Sequence, residues 1–255
     1  MELLAALLPD GITPAVALFL VAASAVTSAL TASFGIGGGI AMLALLGIWL
    51  PVNALIPVHG AVQLGSNTGR AWRQRAFVRR DVILPFLCGG VVGAGVAAFI
   101  VVDLPESAMK VVLGLFLLFA VWVRIPALER LSRSALGMAS AGVSVLSMLV
   151  GATGPVVVAL LSRMIAGDRK ALVATTAVAM TIQHLLKIVV FGVAGFAFAQ
   201  WVPLVLAMIG SGYAGTVYGS ALLDRMPEAA FARWFNVLIS LLAADLVRRG
   251  LTQMF

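Results

Sequence analysis

The sequence predicts an all-α membrane protein: a polytopic bundle of about 8–10 transmembrane segments, built from two inverted repeats with glycine-broken helices. Three observations carry that prediction. Hydrophobic residues make up 62% of the 255 and charged residues 11%, against roughly 25% charged in a soluble domain. So apolar a surface aggregates in water, which makes lipid the solvent for most of the chain. The apolar runs are of helix length and lack the strict alternation of an outer-membrane strand. Finally, one pattern occurs twice. Phe34-Gly35-Ile36-Gly37-Gly38-Gly39 interrupts an apolar stretch in the first half. Val150-Gly151-Ala152-Thr153-Gly154-Pro155 interrupts another in the second, at an offset of 116 from Phe34 to Val150.

The duplication extends beyond the breaks. Leu104-Pro105-Glu106-Ser107-Ala108 returns as Met226-Pro227-Glu228-Ala229-Ala230, and Pro85 returns as Pro203. The offset between Pro105 and Pro227 is 122, and the growth of six is an insertion that loops absorb. The repeats divide the chain into residues 1–130 and 131–255, two halves of one integrated domain.

Taken in order, the first half offers runs at roughly 13–33, 38–50, 53–70, 82–102 and 107–123. Met1-Glu2-Leu3-Leu4 lacks the positive n-region of a secretory signal, so the first run is expected to be a membrane helix. The second half offers runs at roughly 134–150, 155–166, 171–190, 200–222 and 227–247. Runs 38–50 and 155–166 are too short to cross a core of about 30 Å. Read as half-helices or re-entrant elements they leave eight full spans plus two short ones; read as full spans they make ten. Cys88, the single cysteine, lies inside an apolar run and is expected as a small buried hydrophobe without a disulfide.

The net charge of +7 raises nucleic acid as a partner, but position argues for lipid instead. The basic residues gather in Arg70, Arg73, Arg75, Arg79 and Arg80, in Arg124, Arg130 and Arg133, and in Arg163, Arg169 and Lys170. These stand in short loops, where the positive-inside rule puts them, and contacts with anionic headgroups follow. With the 70–80 loop inside, the other basic loops and Arg225 fall inside too, while Asp10, Asp103 and the 191–200 connection fall outside. Arg248-Arg249 is the exception. Five runs per repeat is an odd number, so parity inverts the second copy.

Glycine tolerates positive φ and brings backbone amides close to a ligand, so Gly37, Gly38 and Gly39 can end one helix and start another. The new helix presents unpaired N–H groups and a positive dipole end. The second break is expected to do the same with Thr153 as cap, Gly154, and Pro155 at the first helical position. Paired breaks of this kind in two halves point to a transporter's binding site, and two facing N-termini suit an anion. Polar residues follow each break: His59, Gln63, Ser66, Asn67 and Thr68 in one half, Thr176, Thr181, Gln183, His184 and Lys187 in the other. His59, Gln63 and Asn67 share a helical face, and Gln183 stands 116 beyond Asn67. Lys187 has a competing role, snorkelling to an interface. Polar groups at membrane depth are costly and line cavities or paths. No Asp or Glu falls in the middle of a run, whereas a cation carrier uses such carboxylates. The expected partner is therefore a small anion, with no metal, cofactor or nucleic acid; a homodimer is compatible with this reading. Were protons coupled, His59 or His184 would carry them.

The glycine-rich break followed by an apolar helix, the polar segment with Asn67, and Gly151-Ala152-Thr153-Gly154-Pro155 together resemble the sulfite exporter TauE/SafE family of bacterial permeases. The resemblance covers essentially the whole chain and implies a multi-pass protein of the bacterial inner (plasma) membrane. It also implies export of sulfite, sulfoacetate or related sulfonates. Ala152-Thr153 departs from the family, which often has more glycine there. Two other classes compete: an intramembrane enzyme and a substrate-free assembly factor. The chain carries no Gly-x-Ser-Gly nucleophile with a partnered His and no His-Glu-x-x-His motif. An assembly factor leaves the polar cluster after each break without a role.

Overall fold

The computed structural model describes residues 8–34, 37–101, 105–123, 135–162, 164–219 and 228–254. Among these are ten α-helices and no strand: α1 (Pro14–Phe34), α2 (Gly38–Trp49), α3 (Val52–Arg73), α4 (Arg80–Val101), α5 (Glu106–Trp122), α6 (Leu136–Val150), α7 (Gly154–Ser162), α8 (Arg169–Val193), α9 (Val202–Ala214) and α10 (Glu228–Thr252). Each expected run holds one helix. Gly35, Ile36, Asp103, Arg124, Arg130, Arg133, Arg163 and Arg225 lie outside the described residues.

Local chemistry sets the breaks. Gly37, the N-cap of α2, has φ 102°, and Gly151, the C-cap of α6, has φ 80°. Side-chain-bearing residues rarely adopt such angles, so glycine is required at both. α7 begins at Gly154, which moves Pro155 to its second position. The Thr153 carbonyl accepts from Val157 N at 3.0 Å, as an N-cap carbonyl does, but its hydroxyl has no partner among the described residues. Asp168 caps α8 through Ala171 N at 2.9 Å.

Length and hydropathy sort the helices. Four segments, corresponding to α1, α4, α8 and the α9 region, are long and apolar enough to cross a membrane alone. α2 and α7, with 12 and 9 residues, reach only about 18 and 14 Å at 1.5 Å per residue. α2 is apolar all round and lies in the interior, with Met42, Leu43, Ala44 and Leu46 almost fully enclosed. The outer faces are greasy: Phe99 is 83% exposed and Val193 86%, as a lipid boundary requires. Cys88 belongs to that boundary. It is exposed on α4, correcting the expectation of burial, because Phe86, Gly89 and Gly90 take the inward positions of that stretch.

The main helix pairs are α1 with α9, α4 with α6, α5 with α10, and α3 with α8. α3 and α8 are antiparallel: His59 meets His184, Gly60 meets Lys187, and Arg79 N, just past α3, bonds Thr175 near the start of α8 at 3.0 Å. Two of the other pairs are the same crossing built twice. A Cβ at Gly93 of α4 would strike the Ala141 carbonyl of α6, and one at Gly215, just past α9, would strike the Ala25 carbonyl of α1. Ser140 Oγ donates to Phe86 O at 2.5 Å, and Ser24 Oγ donates to Met208 O at 2.7 Å. Ala25 to Ala141 and Ser24 to Ser140 are offsets of 116; Gly93 to Gly215 and Phe86 to Met208 are offsets of 122, so Pro203, which stands 118 beyond Pro85, is not its counterpart in this register. The backbone contact that only glycine permits recurs with its serine clamp.

At the chain's end, Arg248 and Arg249 pair with Asp245 at 2.7 and 2.6 Å. The two exceptional arginines of the charge pattern therefore share a carboxylate.

Candidate anion site between two helix N-termini

The first turns of α2 and α7 meet at one internal cavity. Gly37, Gly39 and Ile40 line it from one helix start, and Ala152, Gly154, Pro155 and Val158 from the other. α3 contributes His59, Gln63, Asn67 and Arg70, spaced by four, four and three along one face. α8 contributes Val173, Thr176, Ala177, Met180 and His184, and α1 contributes Thr31. About 60 Å³ of this space is open to the centre of a water molecule. That exceeds the roughly 10–15 Å³ a cavity needs to hold water, so the space admits water or one small oxyanion.

The polar groups are held by short bonds. His59 Nε2 donates to the Gly39 carbonyl at 2.9 Å, since a carbonyl only accepts; this places the proton on Nε2 and ties α3 to the start of α2. The His59 and His184 rings meet edge to face with centroids 5.8 Å apart. Asn67 Nδ2 donates to the Gln63 carbonyl at 2.8 Å, and its Oδ1 accepts from Arg70 Nη2 at 2.7 Å. His59 Nδ1, His184 Nδ1, Thr176 Oγ1 and Arg70 Nε are buried without a partner among the described residues. Unpaired polar atoms of this kind cost free energy unless something binds them.

Arg70 was expected as a loop charge that sets topology. Instead it is the last inward position of the α3 face, half-buried, bonded to Asn67, and forms no ion pair with a described residue. The signal was present: Arg70 stands three residues after Asn67, on the face that His59 and Gln63 define.

Four further residues expected at the site stand behind its wall. Gly38 packs against α1, where a Cβ would strike the Thr27 carbonyl. Thr153 is fully buried at the cap of α7. Gln183 donates from Nε2 to Ser144 Oγ of α6 at 2.7 Å. Lys187 does not snorkel; it is fully buried and its Nζ donates to the Gly151 carbonyl at 2.6 Å. Thr68 is exposed, Ser66 borders a separate groove, and Thr181 bonds the Ala177 carbonyl of its own helix at 2.8 Å. At the cavity wall the residue that stands 117 beyond Asn67, the offset between the starts of α3 and α8, is His184, whereas Gln183, expected as the equivalent, does not line it. By that register Thr176 answers His59, Met180 answers Gln63 and Lys187 answers Arg70.

Chemically, the site offers amide N–H groups, two dipole ends and a guanidinium, and no carboxylate lines it among the described residues. This arrangement attracts anions and repels cations. No curated protein and no solved structure matches the chain. The model of the sulfite exporter TauE/SafE family, whose members are transporters and not enzymes, matches residues 18–246. With that match running from α1 into α10, the chain belongs to the TauE/SafE family and is a multi-pass membrane transporter.

Proposed function

We propose that this transporter exports small sulfur oxyanions (sulfite, sulfoacetate or related sulfonates) across the bacterial inner membrane, by alternating access around the cavity between α2 and α7. The observation that carries the reading is the convergence of two helix N-termini and Arg70 on a space with no carboxylate among its described lining. Each helix end contributes about half a positive charge, so with the guanidinium the site presents about two. That suits a mono- or dianion. The small open volume favours a compact head such as a sulfite or sulfonate group. In this reading Gly37, Gly39 and Gly154 bring backbone to the anion. His59, Gln63, Asn67, Thr176 and His184 surround it, while Gly38, Thr153 and Gln183 hold the wall.

The two halves, 1–130 and 131–255, act as inverted repeats. Three features support this: the duplicated glycine–serine crossing, the antiparallel course of the corresponding helices α3 and α8, and pairings in which each element's partner is the counterpart of its counterpart's partner. Midplane sites at the interface of such repeats are typical of secondary carriers.

The test is flux. Protein in liposomes loaded with radiolabelled sulfite is expected to release it faster than empty liposomes do, with sulfonates competing and sodium or neutral solutes without effect. Selective movement of a metal cation, with sulfite retained, would refute the anion assignment.

A further inference from the structure

Beyond the central cavity the two ends of the α3–α8 pair differ. At the arginine-loop end lies an open vestibule with about 400 Å³ accessible to water, bordered by Thr31, Arg70, Arg73, Gln74, Val173 and Thr216. Thr31, Arg70 and Val173 also line the central cavity, so these three residues stand between the two spaces. Thr216 belongs to the π-helical turn Gly215–Gly219 that follows α9; such turns are frequent at functional positions.

Each vestibule residue has a counterpart in the other half. The offsets are 116 for α1, 117 for α3 and α8, and 122 for α9 and the turn after it. They carry Thr31 to Ser147, Arg70 to Lys187, Arg73 to Val190, Gln74 to Phe191, Val173 to Ile56 and Thr216 to Ala94. All six counterparts are buried. Ile56, Ala94, Val190 and Phe191 pack into one apolar cluster with Met148, itself the counterpart of Ala32. The positions that form an open polar vestibule at one end form a sealed apolar plug at the other.

Within the plug end, Lys187 is fully buried and forms no ion pair with a described residue; its stem lies where a Cβ at Gly60 would press on Cδ at 2.9 Å. One carbonyl, that of Gly151, holds its ammonium. A buried ammonium without a counter-charge is costly, and an anion arriving beside it lowers that cost.

We propose that the Met148–Phe191 plug is the closed gate on the face opposite the arginine loop, and that Lys187 is the exit-side equivalent of Arg70. When the plug opens and the vestibule closes, Lys187 leaves the Gly151 carbonyl and receives the anion that Arg70 held. The role of Lys187 rests on the anion-transport reading; the gate does not.

The experiment uses reconstituted full-length protein in a C88A background, with T31C and S147C as reporters at equivalent positions and a membrane-impermeant methanethiosulfonate reagent. T31C is expected to label from the arginine-loop side, and S147C to label about tenfold more slowly or less from either side. Adding F191A, or M148A should F191A not fold, is expected to raise S147C labelling from the opposite side about tenfold and to lower that of T31C. K187L is expected to retain T31C labelling and its protection by sulfate while losing sulfite efflux; K187R restores efflux. Equal labelling of both reporters without a plug substitution overturns the gate, as does S147C unchanged in both plug variants. Wild-type efflux by K187L overturns the role of Lys187. Reciprocal labelling together with no sulfite flux in the wild type refutes the substrate reading and leaves the gate standing.

Discussion

Arg70 concentrates the electrostatics of the site in one side chain, and its neighbours decide what its removal does. Arg70→Gln keeps polarity but shortens the side chain and removes the charge, so sulfite binding measured by equilibrium dialysis is expected to weaken by tenfold or more. Asn67→Leu takes away the acceptor that aims Arg70 Nη2. It should cost about 1.5–3 kcal/mol of binding, the range for a hydrogen bond to a charged group. The glycines separate along the same lines. A Cβ at Gly39 stands 3.4 Å from Gln63 Nε2 and faces the cavity, so Gly39→Val is expected to insert normally and lose flux. Gly38→Val meets the Thr27 carbonyl instead and is expected to lower the yield of folded protein in detergent. From sequence the two glycines were interchangeable, because their difference lies in which foreign backbone each approaches. His59, Gln63 and Asn67 were legible as one face because helical spacing is local. Lys187 was legible only as an expensive residue, since its carbonyl partner lies across a helix boundary.

Helices were easier to read than their partnerships. Hydrophobic run length and glycine or proline at the ends located each of the ten helices, and α2 and α7 came out as short as expected. Which helix packs on which was not legible. The close contact of α4 on α6 depends on Gly93 meeting one carbonyl in another helix, and nothing local marks that glycine apart from Gly95, which has open space around it. The duplicated crossing makes a sharp prediction. Ser24→Ala and Ser140→Ala each remove one buried clamp of the same geometry, so each is expected to cost about 0.5–1.5 kcal/mol, and the two costs should agree. Thermal unfolding of the detergent-solubilised variants checks this. Gly93→Leu and Gly215→Leu should both prevent the crossing from forming, whereas Gly95→Leu should be tolerated. Unequal serine costs would mean that the two crossings differ in packing despite their shared spacing.

At the scale of the whole molecule, charge and parity make a topology that can be tested directly. Tags in the Arg75–Phe77 turn are expected on the cytoplasmic side and tags between Ala194 and Ala197 on the opposite side; finding both on one side would end the inverted-repeat reading. The recurrence of the break motif was legible because its two copies kept their spacing to the polar segments that follow. The register of α3 against α8 was not, since the break motif gives 116 and the helices after it run at 117. α3 also bears on how the protein is made. Its 22 residues are long enough to span, yet its polar face keeps it out of the group apolar enough to cross alone. Its main partner, α8, is synthesised roughly a hundred residues later. During biogenesis α3 therefore has no favourable reason to stay in lipid until α8 arrives to cover His59 and Gln63. A nascent chain truncated before Arg169 should accordingly leave α3 accessible to a soluble protease, and one extended past Val193 should protect it. On this expectation the residues that make the cavity set the order in which the helix that carries them enters the membrane.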